Sequence, residues 1–164
     1  MKLKGQIWSL DLSVSAIAFL AVLIAVLFAW TYASNEAGSG LELRRMETRA
    51  VDISEALVAT SGVPADWSAA DVKTIGLALS EGVLNATKVA TLAGLSYEEA
   101  RLKVGAGVYH FHFRVKDGNN NTLQLGGVTA EAGAYPTNAT VVIPVERYVS
   151  ANGTPVVMEF LLWN

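Results

Sequence analysis

Residues 12–32 read LSVSAIAFLAVLIAVLFAWTY, an uncharged and strongly apolar stretch that follows Asp11 near the N-terminus. At about 1.5 Å per helical residue, such a stretch spans about 30 Å, which is the hydrocarbon thickness of a bilayer. Trp8 and Trp30 bracket it, and aromatic rings favour the two membrane interfaces. The sequence therefore predicts one membrane-spanning helix that carries a separate head.

Two interpretations of this stretch rest on its residues alone. It is either an uncut membrane anchor or a secretory signal peptide that is removed after Thr31-Tyr32-Ala33. A signal peptide has a shorter apolar core than this one, so the anchor is the favoured interpretation.

Two kinds of signal bear on the orientation of the chain in the membrane. Lys2 and Lys4 favour a cytoplasmic N-terminus, whereas Arg44, Arg45 and Arg49 lie close behind the apolar stretch and oppose it. Half of the eight asparagines stand in N-x-T sequons, which favours an extracellular, N-glycosylated head, although a turn-rich composition also explains them. These candidates are Asn85, Asn120, Asn138 and Asn152.

The segment behind the apolar stretch combines a polar linker with an amphipathic helix. Residues 34–40 are rich in glycine, so we expect the first helix to bend or break near Gly38. The pattern from Leu41 to Thr60 is helical, and Ser61-Gly62 with Pro64 ends it. Its apolar stripe, expected to face the core, consists of Leu43, Met46, Ala50, Ile53 and Leu57.

Three shorter segments of the head carry helix-start signals. Ser68 and Asp71 fit a capping box, which predicts a short helix over Ala69–Lys73. Asn85 predicts a helix to Leu92, and the second capping box, Ser96 to Glu99, predicts one to about Val104. Residues 74–79 are ambiguous between helix and strand.

The rest of the chain alternates as strands do. In Val108–Lys116 the apolar side chains of Tyr109, Phe111, Phe113 and Val115 share one face, and further strands are expected at Leu123–Leu125, Thr140–Val149 and Pro155–Trp163. Pro144 indicates an edge or a bulge, and Asn152-Gly153 a hairpin. The fold class is therefore α+β: a long N-terminal helix, apolar then amphipathic, on an antiparallel sheet with two or three short helices.

Composition and motifs favour few chemistries. The net charge is −3 without a basic patch, which argues against nucleic acid binding, and there is no cysteine. His110 and His112 share a strand face, but two imidazoles without a third ligand fit a solvated face better than a metal site. Glu98-Glu99 are first-turn helix acids rather than a catalytic pair. The sequence predicts no enzyme, no metal and no cofactor.

Lys4-Gly5-Gln6 in front of the hydrophobic helix resembles the class III signal of archaeal type IV pilin-like proteins. The resemblance implies that a prepilin peptidase cuts between Gly5 and Gln6 and that the apolar stretch is retained. It also implies that Asp11 pairs with the new Gln6 amine of a neighbouring subunit. The residues alone allow another role for Asp11, namely an interfacial acid that suits the dipole at the N-terminal end of the helix.

This resemblance predicts four parts: a leader at 1–5, a membrane and filament helix at 6–33, a linker and amphipathic helix at 34–60, and an extracellular head at 61–164. The expected protein is a surface pilin, major or minor, held in the membrane as a precursor with a cytoplasmic N-terminus. Its partners would be copies of itself or other pilins, the prepilin peptidase and the membrane, and its head would carry surface contacts such as adhesion. The alternative is a monomeric, membrane-tethered extracellular binding or sensor domain.

Overall fold

The computed structural model describes the backbone of residues 4–164 and the side chains of residues 11–33 and 40–164. Its chain order is α1 (Lys4–Ala59), β1 (Gly62–Val63), β2 (Thr74–Ile75), β3 (Ala78–Ser80), β4 (Val83–Leu84), α2 (Ala86–Gly94), α3 (Tyr97–Val104), β5 (His110–Lys116), β6 (Gln124–Leu125), β7 (Val128–Thr129), β8 (Glu131–Gly133), β9 (Val142–Ala151) and β10 (Thr154–Trp163). The fold is α+β, as the sequence predicts.

Two compact units divide the chain, one ending at Glu42 and one comprising Leu43–Asn164. In the first unit, the helix from Asp11 to Ala33 is long and apolar enough to cross a membrane. The helical assignment of α1 runs through Gly38 and Gly40, so the predicted break is absent from the described backbone. Two glycines lower helix propensity by only about 1 kcal/mol each, which helical turns on both sides can offset.

The second unit, which we call the head, is built on a six-stranded sheet of order β3-β4-β9-β10-β5-β8, with two further two-stranded sheets. Its pairs are antiparallel except for β4 with β9, where Val83 and Leu84 lie parallel to Ser150 and Ala151. The predicted antiparallel sheet is therefore a mixed one. The parallel pair arises because the chain between β4 and β9 forms two helices and further strands, and such a long connection permits parallel pairing.

The core of the head lies between this sheet and the helices. Met46, Ala50, Ile53 and Leu57 on α1 are buried, as their stripe predicts, whereas Leu43 stays 40% exposed. Leu43 is the first residue of the head unit and extends beyond the packed region. The strands contribute buried side chains at every second position, including Phe111, Phe113 and Val115 on β5 and Val156, Met158, Phe160 and Leu162 on β10.

Backbone contacts fix the C-terminal end of α1 in the head. The carbonyl groups of Leu57, Val58 and Thr60 accept hydrogen bonds from the N–H groups of Leu77, Gly82 and Ala78, respectively. These bonds satisfy carbonyls that the end of a helix leaves without a partner. Residues 74–79, which the sequence leaves ambiguous between helix and strand, contribute β2 and the first part of β3.

Asn85 caps α2 as predicted, α3 begins after Ser96 without a hydrogen bond from its backbone to the Ser96 side chain, and the helix predicted after Ser68 does not form. The Oδ1 atom of Asn85 accepts hydrogen bonds from the N–H groups of Thr87 and Lys88 at the start of α2. Helix α3 ends at Gly105, whose φ of 89° is left-handed, as a C-terminal glycine allows. Ser68 and Asp71 do bond each other at 2.7 Å, but they close a turn rather than open a helix. The prediction of a helix over 69–73 is wrong, because too few residues follow before β2 to propagate one.

The central hairpin forms where the sequence predicts it. Asn152 and Gly153 have φ angles of 52° and 78°, the positive pair that a tight hairpin turn requires. Pro144 lies opposite Leu161 of β10, in the part of β9 that has no second strand neighbour among the described residues. It therefore occupies an edge position, as predicted.

Candidate functional site: the apolar segment and the outer sheet face

The apolar segment, Asp11–Ala33, exposes all of its described side chains within its own chain. None of its residues is buried, and the large side chains of Ile17, Phe19, Phe28 and Trp30 are each more than two-thirds exposed. A soluble monomer rarely exposes a continuous apolar surface of this size. Among the described residues, no other part of the chain buries this segment, which is long and apolar enough to cross a membrane.

The residues implied by the pilin resemblance lie at the N-terminal end of α1. The helix includes Lys4, Gly5 and Gln6, but their side chains lie outside the described residues. Asp11 is described and exposed, at the border of the apolar segment. Its pairing with a neighbouring subunit and the cleavage after Gly5 stay predictions.

The sequon asparagines occupy two different environments. Asn120, Asn138 and Asn152 are exposed in turns of the head. Asn85 is half-buried, and its side-chain oxygen caps α2. Asn120, Asn138 and Asn152 therefore lie in exposed loops of the kind in which glycosylation acceptors are found, and their modification stays a prediction.

The outer face of the sheet, which we define as the side of β5, β9 and β10 opposite the core, is the second candidate surface. The strand registers place Tyr148, Val157 and Lys116 in one row across the three strands. The next rows are Glu146-Glu159-Arg114, Pro144-Leu161-His112 and Val142-Trp163-His110. Charged and apolar rows thus lie side by side.

Glu159 is the centre of a charged network on this face. Its Oε1 and Oε2 atoms accept hydrogen bonds from Nε and Nη2 of Arg114 at 2.9 and 3.0 Å, a forked pair. Lys116 Nζ lies 2.5 Å from Glu159 Oε2 and 2.6 Å from Glu146 Oε1. Glu159 is only 7% exposed, so hydrogen bonds from Arg114 and Lys116 replace those that its carboxylate would make to water.

Hydrogen bonds within the network shift the pKa values of Glu159 and Lys116 in the directions that favour their charged forms. Hydrogen bonds from Arg114 and then from Lys116 lower the pKa of Glu159 against the opposing effect of burial. Hydrogen bonds to Glu146 and then to Glu159 raise the pKa of Lys116. Glu159 and Lys116 therefore stay ionised near neutral pH, which suits a structural cluster better than proton transfer.

The two histidines have separate partners. The sequence predicts that they face solvent, and His112 does not. His112 is 2% exposed, with its Nε2 atom 2.8 Å from Glu131 Oε1 and its ring edge-on to Tyr135. The Nδ1 atom of His110 lies 2.6 Å from the hydroxyl of Tyr97, and its ring stacks on Trp163. The expected solvated face is wrong for His112, whose imidazole is buried beside Glu131 of β8 and Tyr135, whereas His110 is half-buried with its ring stacked on Trp163. Among the described residues, no group of three acidic or histidine side chains is arranged to hold a metal ion.

Sequence reasoning missed the charged network. Arg114 and Lys116 precede Glu159 by 45 and 43 residues, so their contacts with it depend on the register of β5 against β10. Two features of the sequence could have indicated it. Polar side chains alternate along β5, and β10 has a single glutamate among mostly apolar residues.

Comparisons of the chain with protein-family models, with curated proteins and with solved structures give no match. Inferences about function therefore depend on the two surfaces and on the N-terminal residues themselves.

Proposed function

We propose that this protein is a cell-surface, type IV pilin-like subunit that is stored in the membrane and assembles into a filament through its apolar segment. The observation that carries the proposal is the complete exposure of Asp11–Ala33, at the end of the chain where Lys4-Gly5-Gln6 matches a prepilin cleavage signal. Lipid solvates this helix in the precursor, and other copies of the helix solvate it in the filament.

The course of α1 supports this proposal. Its helical assignment continues from the apolar segment through Gly38 and Gly40 to Ala59, where the second half supplies buried residues of the head core. In a filament subunit, one helix then serves both the filament core and the head. A glycine-rich flexible tether, which the alternative function would use, is not needed by this arrangement.

The proposal assigns the head to the cell exterior and the N-terminus to the cytoplasm. Three sequon asparagines exposed in turns support an outside head, and Lys2 with Lys4 supports an inside N-terminus. The proposed partners are copies of this chain or other pilins, the prepilin peptidase, and the membrane. Surface contacts such as adhesion are assigned to the head.

The mature N-terminus tests the proposal directly. We expect the intact mass of the full chain, produced in a host with a prepilin peptidase, to show loss of residues 1–5 and a new terminus at Gln6. The matched control is Gly5→Leu, which enlarges the residue before the cut and should leave Met1 in place. An uncut wild-type chain contradicts the pilin assignment and supports the monomeric, membrane-tethered binding or sensor domain.

Assembly needs a second measurement, since cleavage alone does not show a filament. We expect electron microscopy of producing cells to show surface filaments that disappear when the gene is removed. Cells that process the chain but show unchanged filaments without it would reduce the assignment to a minor pilin. Release of the head into the medium without its helix would contradict it.

A further inference from the structure

The four sequons of the chain differ in how firmly the fold holds them. An oligosaccharyltransferase joins a sugar to the amide nitrogen of the asparagine in Asn-x-Thr, and it has to reach both the asparagine and the threonine. A sequon that is tied by hydrogen bonds must open locally before it can enter the enzyme, and each tie lowers the open population. The ties of each sequon therefore indicate which of the four a transferase can use in the folded head.

The sequon at Asn85 is held by its side chain and its backbone. Its Oδ1 atom accepts from the N–H groups of Thr87 and Lys88 at 3.0 and 3.3 Å. Its own N–H group donates to Leu77 O at 2.8 Å, and the residue is half-buried. Thr87, the threonine of this sequon, is the second residue of α2. Modification here would remove the cap of α2 and open its first turn.

The sequon at Asn120 belongs to the turn that follows β5. The N–H group of Asn120 donates to Asp117 O at 3.1 Å, and its Oδ1 atom accepts from Nη2 of Arg114 at 3.2 Å. Thr122 is half-buried and forms a β-bridge with Lys116. Both ends of this sequon are therefore fixed, although Asn120 itself is exposed.

The sequon at Asn152 lies in the tight turn between β9 and β10. Asn152 is exposed, but its φ of 52° belongs to the turn, and Thr154 pairs with Ala151 in the strand ladder. A transferase would have to unpair the first residues of this hairpin before the sequon could extend. Exposure alone therefore does not make Asn152 an accessible acceptor.

The sequon at Asn138 lacks ties of this kind. Asn138 and Thr140 are both exposed, in the connection between β8 and β9. In the part of the chain that the structure describes, no hydrogen bond involves residues 137–139. The hydrogen bonds of this connection lie at its two ends, where Ala134 N donates to Phe111 O at 2.9 Å and Thr140 N donates to the carbonyl of the C-terminal residue at 3.2 Å. The asparagine is thus free to leave the surface without breaking the sheet.

Two of the four sequons have the same sequence, because residues 85–87 and 138–140 both read Asn-Ala-Thr. Any preference of a transferase for the tripeptide itself is therefore equal at these two sites. One of them opens a helix, and the other lies in a connection without hydrogen bonds. A difference in modification between Asn85 and Asn138 consequently reports the fold rather than the sequence.

We propose that Asn138 is the glycosylation site of this chain and that the folded head is the acceptor. The donor is an oligosaccharide carried on a lipid phosphate. The Nδ2 atom of Asn138 forms an N-glycosidic bond with C1 of the first sugar and loses one proton, while the bond from C1 to the phosphate oxygen breaks and the lipid phosphate leaves with its electron pair. The proposal rests on the extracellular head, which the pilin assignment and its alternative share.

Occupancy at each sequon tests the proposal. The full chain is purified in detergent from a host without N-glycosylation, and is treated with a single-subunit oligosaccharyltransferase and the lipid-linked oligosaccharide of that enzyme's own organism. Mass spectrometry of proteolytic peptides then reports all four sites in one sample. We expect occupancy at Asn138 to exceed that at Asn85 and at each other sequon at least about tenfold, because those sites react only after local opening.

A pair of threonine variants supplies the matched control. Thr140→Val breaks the sequon of Asn138 without changing the shape of the side chain, and it should remove most of the incorporated glycan. Thr154→Val makes the same change at an equally exposed threonine in the sequon of Asn152, and it should leave the total unchanged.

Equal occupancy at Asn85 and Asn138, or no glycan at Asn138, would overturn the proposal. Peptides from producing cells that carry glycan equally at all four sequons would do the same, since the unfolded chain would then be the acceptor. Cleavage after Gly5 is read from the intact mass of separately produced chain. Failure at Asn138 is therefore distinguishable from failure of the pilin assignment.

Discussion

The apolar segment exposes its large apolar side chains, whereas the head buries most of them. Phe113 on β5 is 1% exposed, whereas Phe19 in the apolar segment is 67% exposed. The head buries its apolar surface against itself, so its stability is a property of the single chain. No described side chain of the segment is buried within the chain, so the stability of the segment depends on what surrounds it. This contrast leads to five experiments.

The largest effect is expected from charges in the middle of the apolar segment. At about 2.5–3.5 kcal/mol for each arginine at the centre of a membrane helix, Val22→Arg with Val26→Arg should cost about 5–7 kcal/mol of insertion. The measurement is the fraction of protein that stays with membranes after alkaline extraction. Tyr148→Arg, on an exposed position of the head, is the control and should change nothing. Unchanged membrane retention of the double variant would contradict the anchor.

Matched truncations of phenylalanine compare the two regions directly. Phe113→Ala should lower the free energy of unfolding of the head by about 3–5 kcal/mol, because it leaves a cavity in the core. Phe19→Ala should leave it unchanged, since Phe19 has no part in that core. Both values come from denaturant unfolding in detergent, followed by near-ultraviolet circular dichroism. Equal losses would mean that the segment contributes to the fold of the head.

The charged network supplies a smaller contribution within the head. Glu159→Gln should lower the free energy of unfolding by about 2 kcal/mol, because Arg114 and Lys116 keep their burial but lose the carboxylate. Glu146→Gln is the control, with a side chain that is 49% exposed and an expected loss of about 0.5 kcal/mol. A loss at Glu146 as large as that at Glu159 would contradict the central role of Glu159.

The same network predicts how stability changes with pH. The pKa of Glu159 in the folded head lies below its ordinary value of 4.5, so its contribution is complete above pH 4.5 and is lost as the pH falls through the lowered pKa. The pKa of Lys116 is raised above 10.5, so its contribution is present below pH 10.5 and is lost as the pH rises further. Unfolding curves across the acid range should therefore fall less steeply for Glu159→Gln than for the wild type.

The smallest effect concerns the two helix caps. Asn85→Ala should cost about 1 kcal/mol, because α2 loses the oxygen that accepts from two backbone N–H groups. Ser96→Ala should cost less, since the Ser96 side chain makes no hydrogen bond to the backbone of α3. Thermal unfolding compares the two variants. A larger loss at Ser96 would reverse this ranking of the caps.

Local patterns in the sequence predicted most elements of the head. The alternation of β5, the Asn152-Gly153 hairpin, the cap at Asn85 and the start of α3 after Ser96 each lie within a few residues, where spacing alone determines the structure. The stripe on α1 also predicted the core, except at Leu43. The helix expected after Ser68 did not form, because its capping box lacks a following segment long enough to propagate a helix.

The sequence predicted the apolar segment but not the charged network, because only the apolar segment is a local pattern. The apolar segment is continuous in sequence, so composition alone reveals it. The network of Glu159 with Arg114 and Lys116 depends on the register between β5 and β10, which no local pattern states. The burial of His112 likewise depends on Tyr135 and Glu131, which approach it from the edge of the sheet.

The sequence by itself determined that this protein has a helix long and apolar enough to cross a membrane and a head with alternating strands, because hydrophobicity and its periodicity are local properties of the chain. Only the tertiary structure decided which strands are neighbours, that β4 and β9 run parallel, and that His112 is buried while His110 is half-buried. These features depend on contacts between residues far apart in the chain, and their free energies depend on burial and register that exist only after folding.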